Sequence, residues 1–156
     1  MSDLTHLDAE GHARMVDVGA KEVTTRVAIA TGRLVVSAEA ISALRDGSVP
    51  KGDALAVARI AGITGTKRTA DLIPLCHPLP LDGVDVELVV GDEAVEITVT
   101  VRTTGRTGVE MEALTGVAVT GLALHDMLKA IDPAAVLTDV RLESKTGGHS
   151  GTWKRP

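Results

Sequence analysis

The sequence predicts an α+β fold, on three observations. Val84, Val86, Leu88 and Val90 alternate with Asp85 and Glu87, and Val95, Ile97, Val99 and Val101 alternate with Glu96, Thr98, Thr100 and Arg102. That is the strand period with one apolar face, and Gly91-Asp92 between the two runs makes a hairpin. A long segment from Thr107 to Asp132 carries helix signals at both ends. The whole chain then reads strand, two helices, two strands, helix, strand, the split β-α-β plan of a ferredoxin-like domain with an additional helix, its antiparallel sheet covered on one face.

Each element has a local cause. Residues 1–20 are polar, hold Gly11 and Gly19, and are expected to be a flexible arm. Val23 to Val36 is rich in β-branched residues, with Val27 and Ile29 on one face and Arg26, Ala28 and Ala30 on the other. Ser37 caps a short helix that Gly47 stops. Ser48 to Asp53 is a turn, and Asp53 caps a helix from Ala54 to about Lys67. The small residues of that helix, including Ala58, Ala61, Gly62 and Gly65, permit tight packing against another element or subunit. Thr107 and Glu110 fit a capping box for the long helix, and Pro133 marks its end. The last strand runs from about Val136 to Lys145, ahead of a Gly-rich tail. One domain is expected over residues 21–150, with a tail at 151–156.

Leu72-Ile-Pro-Leu-Cys-His-Pro-Leu-Pro-Leu81 fits none of these elements. Pro74, Pro78 and Pro80 exclude a helix interior and a central strand, because each fixes φ and removes a backbone donor. The segment is a stiff apolar loop that presents Cys76 and His77, and it reads as a pocket wall.

Composition bounds the function. At 156 residues, 44% of them hydrophobic, the chain can bury one core, built from Val, Leu, Ile, Ala and Met because Phe and Tyr are absent. A net charge of −5 and a single aromatic, Trp153, argue against a nucleic-acid surface. The lone cysteine, Cys76, allows no internal disulfide and suits a reducing compartment. Met1 to Met15 lacks the apolar core of a secretory leader, and no run approaches the roughly 18 apolar residues of a membrane span, so a cytoplasmic protein without membrane contact is expected.

The candidate chemistry competes with plainer accounts. Cys76 and His77 are adjacent and the other histidines scattered, so no metal site is expected. His77 is either a satisfied histidine in an apolar loop or a pocket residue. Glu110 and Glu112 suit a helix N-terminus, and only Glu110 has a capping task. Asp126 and Lys129, three apart on one helical face, are either a surface ion pair or an acid/base couple. Lys51, Lys67, Arg68, Lys129 and Lys145 stand near turns or element ends, where together they suit a polyphosphate, with Gly52, Gly147 and Gly148 allowing backbone amides to approach it. Glu112 and Asp126 are fourteen residues apart, about 21 Å along one helix, so one chain cannot bring both to one small molecule. A site shared across a two-fold axis could.

Long segments of the chain resemble the molybdenum-cofactor biosynthesis protein C family, the cyclic pyranopterin monophosphate synthases. They are Met15-Val-Asp-Val18 with Lys21, Thr25 and Arg26; Lys51-Gly-Asp53; Ala58-Arg-Ile-Ala-Gly62; Lys67 and Thr69; Leu72 to Pro78; Thr107-Gly-Val-Glu-Met-Glu-Ala-Leu-Thr115; Asp126-Met127 with Lys129-Ala130; and Lys145 with Gly147-Gly148. The resemblance implies a substrate, 3′,8-cyclo-7,8-dihydro-GTP, converted to cyclic pyranopterin monophosphate with loss of pyrophosphate. It implies a homohexamer, a trimer of dimers with sites at subunit interfaces. The sequence requires no cofactor, although magnesium could accompany the pyrophosphate; no dedicated carboxylate cage is evident. By the family pattern Asp126 and Lys129 match acid/base positions, and Lys51, His77, Glu112 and Lys145 match pocket positions. Leu75, Cys76, His77, Met111 and Glu112 match substrate contacts, and Arg26 and Lys67 are further carry-overs. Proton transfer would fall to Lys51, Lys129 and Asp126, phosphate to His77, Arg26, Lys67 and Lys145, and the amino-pyrimidine edge to Glu112.

Small departures occur. His125 replaces a usual aromatic, Leu128 a common cysteine, and Gly116 and Gly121 lie inside the long helix at a cost of about 1 kcal/mol each relative to Ala. The rival readings are a non-catalytic nucleotide-binding oligomer of the same fold and a subunit whose helices serve assembly alone.

Overall fold

A computed structural model describes residues 6–156. Its elements are β1 (Thr24–Val35), α1 (Ala38–Asp46), α2 (Ala54–Lys67), α3 (Thr69–Leu72), β2 (Gly83–Val90), β3 (Ala94–Gly105), α4 (Glu110–Leu128), β4 (Val136–Thr146) and β5 (Trp153–Lys154). The strands form one antiparallel sheet in the order β2-β3-β1-β4-β5. The ferredoxin-like α+β expectation therefore holds, with the two-residue β5 and the one-turn α3 as additions. Among the described residues no helix is long and apolar enough to cross a membrane.

Central β1 is paired along both edges. Thr24 to Val35 run opposite Gly105 to Ala94, and the other edge pairs with β4 through two register shifts, close to Asp139 at φ 55°. Its helix-facing side carries small residues: Ala28, Ala30 and Gly32 are buried ahead of Leu34. A Cβ on Gly32 would lie 2.6 Å from Val117 Cγ1, so α4 rests directly on the strand backbone. The larger Val27 and Ile29 point to the other face and stay half-exposed.

Ser37 and Asp53 cap their helices as the sequence predicts, each accepting from the backbone amide three residues on, at 3.3 and 3.0 Å. Gly47 ends α1 with φ 76°. The capping box of α4 does not form. Val109 is the N-cap, no side chain caps the helix, and Glu110 instead accepts from Lys145 Nζ at 2.7 Å. The helix also ends at Leu128, with Lys129 at its C-cap, short of the expected Asp132.

The interior glycines of α4 are explained by its neighbours. A Cβ on Gly62 of α2 would strike Thr120 Oγ1, and a Cβ on Gly116 of α4 would strike Thr66 Oγ1. Each threonine also donates to the carbonyl of the glycine one turn before it, Thr66 to Gly62 at 2.9 Å and Thr120 to Gly116 at 2.7 Å. Two Gly-x-x-x-Thr runs thus interlock antiparallel, with both hydroxyls satisfied in the buried contact. Gly121 makes room for Leu137 of β4.

The core lies between helices and sheet in two parts. One gathers Leu34, Ile41, Val95, Leu124 and Leu128; the other gathers Val99, Val101, Val109, Ala113 and Val117. Leu128 is fully buried and contributes roughly 1.5–3 kcal/mol by leaving water. α4 spans both parts, and its two ends carry the polar groups of interest.

Candidate active site

At the C-terminal end of α4, Asp126 holds two lysines on one carboxylate. Lys129 Nζ lies 2.7 Å from Oδ1 and Lys51 Nζ lies 2.8 Å from Oδ2. Lys51 comes from the α1–α2 turn, where Gly52 adopts φ 98°, so residues 75 apart meet through a turn that glycine allows. Hydrogen bonds from Lys129 first, and then Lys51, hold the Asp126 carboxyl down at about 2. The three catalytic candidates form one cluster, open to solvent, with Asp126 as its hinge.

At the other end of α4 lies a cavity of about 500 Å³. Leu75, Cys76, His77 and Leu79 line one side, Thr107, Gly108, Glu110, Met111 and Glu112 another, and His6, Val16, Val18 and Lys21 the third. Its size suits a small organic ligand. The proline-rich loop is a wall, as its sequence predicts, and within this chain it faces the first turns of the chain's own α4. Thr103 Oγ1 ties the loop to β3 by donating to the Pro80 carbonyl at 2.6 Å, and the Cys76 amide donates to Ile73 at 3.1 Å.

Glu112 is 5% exposed, and burial, with the like charge of Glu110 added, raises its carboxyl above the usual range. Cys76 is half-buried, and burial together with Glu112 pushes its thiol up, so no nucleophilic thiolate is prepared there. His77 Nε2 donates to the Val16 carbonyl at 2.8 Å; a carbonyl only accepts, so Nε2 carries the proton in that bond.

A second cavity of about 770 Å³ adjoins the first and shares Lys21, Thr107, Gly108 and Glu110 with it. Arg26 lines it, but two of the arginine's donors are spent on backbone: Nε on the Gly105 carbonyl and Nη2 on that of Arg106, both at 3.0 Å. Gly148, at φ 73°, leaves space for the guanidinium, which a Cβ would strike. Lys145 reaches the shared rim through Glu110. Lys67 is exposed at the end of α2 and lines neither cavity.

Lys67 apart, the predicted residues divide between two ends of one helix, as the fourteen-residue spacing requires. Lys21, Thr107 and Gly108 were not among the candidate site residues, yet they line both cavities. Lys21 sits in a matching segment, which was the available signal; Thr107 was assigned to capping. Among the described residues, the one group of His, Cys, Asp or Glu close enough to hold an ion is Asp8, Glu10 and His12, none of which lines either cavity. Asp8 already accepts there from the amides of Glu10 and His12.

A ferredoxin-like fold with a ligand-sized cavity, a buried carboxylate beside it and a lysine pair on a single aspartate suits the class of small-molecule enzymes. A family model described as the MoaC family matches residues 15–148, and the chain belongs to that family. A cyclic pyranopterin monophosphate synthase of Streptomyces griseus is 65% identical over 152 residues, covering 97% of this chain and 86% of the relative. One from a Nocardioides species is 59% identical, covering 98% of this chain and 96% of its own. Cyclic pyranopterin monophosphate synthase 2 of Mycobacterium tuberculosis is 56% identical over 98% of this chain and 92% of its own.

Proposed function

We propose that this protein converts (8S)-3′,8-cyclo-7,8-dihydroguanosine 5′-triphosphate to cyclic pyranopterin monophosphate with release of pyrophosphate, an early step of molybdenum cofactor biosynthesis, acting as a phosphorus–oxygen lyase. The observation that carries this reading is the 65% identity, across 97% of the chain, to a relative bearing the synthase name.

The site supports a division of labour. Opening and rearranging the purine-derived ring needs proton transfers, which fall to Lys51 and Lys129. Asp126, whose carboxyl the two lysines hold low, fixes both amines and shares in the proton relay. Glu112 meets the amino-pyrimidine edge, since a carboxylate accepts from a ring N–H and an amine together. His77 and Lys145 steady the phosphates and the leaving pyrophosphate. Arg26, bonded to the backbone of Gly105 and Arg106, shapes the phosphate side. Lys67, outside both cavities, would act only where a second chain approaches. Magnesium would arrive with the pyrophosphate, not in a carboxylate cage.

The reading includes a homohexamer, a trimer of dimers. The separation of the Glu112 and Asp126 ends supports it, since a two-fold partner would bring one chain's lysine cluster to the other's cavity. Exposed Ile60 and Leu122, at 66% and 63%, offer helix surface for such contacts. The lone free thiol supports a cytoplasmic setting.

The decisive experiment supplies the cyclic dihydro-GTP intermediate to purified protein and follows it by mass spectrometry. Pyranopterin and pyrophosphate are expected. Ligand bound but recovered unchanged would replace this reading with the non-catalytic nucleotide-binding one.

A further inference from the structure

We propose that residues 15–21 are a strap closing over the 500 Å³ cavity, and that His77 is the positioning residue that latches it. Val16, Val18 and Lys21 supply one wall of that cavity. Yet among the described residues, no backbone hydrogen bond joins the chain before Thr24 to the rest of the fold; its backbone bonds, such as Arg14 to His6 and Lys21 to Val18, are internal. Asp17 stiffens the segment by accepting from the Gly19 amide at 2.8 Å. What ties it down is two side chains from the body: His77 Nε2 to the Val16 carbonyl at 2.8 Å, and Arg106 Nε to the Lys21 carbonyl at 3.2 Å.

The strap is therefore preformed in itself and weakly fastened. Breaking two side-chain bonds opens the cavity without disturbing the sheet, and remaking them brings Val16 and Val18 back against the proline-rich wall. His77 is made rigid by that wall, so the latch has a fixed post. The role in turnover rests on the cavity being the substrate site; the latch itself does not.

Arg14 and Lys21 flank the strap, so trypsin reads it directly. In the full chain without substrate, His77→Ala is expected to speed cleavage after Arg14 and Lys21 about five- to tenfold, the population change that one ordinary hydrogen bond carries. His77→Gln, whose amide can donate to the same carbonyl, stays within about twofold of wild type. Arg106→Ala tests the second tie independently and is expected to speed cleavage after Lys21. In turnover, Arg106→Ala, which loosens the strap without altering His77, raises KM more than it lowers kcat. Unchanged cleavage in both His77→Ala and Arg106→Ala, or His77→Gln cleaved as fast as His77→Ala, overturns the latch. A fall in kcat at constant KM in Arg106→Ala overturns the strap's part in holding substrate. Because the cleavage assay contains no substrate, it stands even if the catalytic reading fails.

Discussion

Asp126 and Glu112 are carboxylates of the same helix in opposite circumstances. Asp126 is ionised and shared by two lysines, so Asp126→Asn should separate Lys51 from Lys129 and lower the rate of pyranopterin formation about a hundredfold or more, with binding less affected. Glu112 is buried, and that burial raises its carboxyl above the usual carboxylate range. A raised acid holds its proton more tightly in the folded state, so ionising it opposes folding as pH rises from the unfolded value through the folded one. Glu112→Gln is therefore expected to melt higher than wild type at neutral pH. The difference should vanish below pH about 4, where both folded and unfolded carboxyls are protonated. The same change should weaken substrate binding about tenfold, the cost of replacing a charged acceptor. Calorimetry across pH and a binding isotherm check the pair; equal melting at pH 7 would show that the buried carboxylate carries no folding penalty.

The α2–α4 contact makes the corresponding test for elements. Gly62→Ala should destabilise the fold by about 1–3 kcal/mol, because the new methyl meets Thr120 Oγ1. Thr120→Ala removes that obstacle, so the double variant should be more stable than the two single losses added together. Urea unfolding of the four proteins measures the coupling. Additive losses would mean the helices move apart instead of interlocking. This contact also marks where sequence reading stops. The caps of α1 and α2, the hairpin and the stiff Leu72–Leu81 loop were legible because their causes lie within a few residues. Gly116 and Gly121 looked like flaws in a helix because the groups that need their space, Thr66 and Leu137, are distant in sequence. Thr107 and Glu110 had the right spacing for a capping box, but Lys145, thirty-five residues away, takes the glutamate. The lysine cluster was half legible: Asp126 and Lys129 by spacing, and Lys51 only through resemblance. The Val16 carbonyl, a backbone group, left no trace in residue identity.

For the whole molecule, the separation of cavity and lysine cluster predicts complementation between subunits. Glu112→Gln and Asp126→Asn proteins, each impaired alone, should gain activity when unfolded and refolded together, with about a quarter of the sites intact if each site draws on two chains. No recovery would place every essential group within one chain. A last consequence lies in β1, whose two neighbours are Ala94–Gly105 and Val136–Thr146. During synthesis this strand emerges early and waits for about sixty further residues before β3 can reach one edge, and for over a hundred before β4 covers the other. A bond such as Thr31 to Glu143 spans 112 residues. Pairing at such range is slow to form, and it leaves the central strand of the finished sheet as a bare edge on the nascent chain. The ribosome thus delivers the middle of this protein first and its closure last, so the emerging chain is most exposed to aggregation, and most in need of a chaperone, while β1 stands alone.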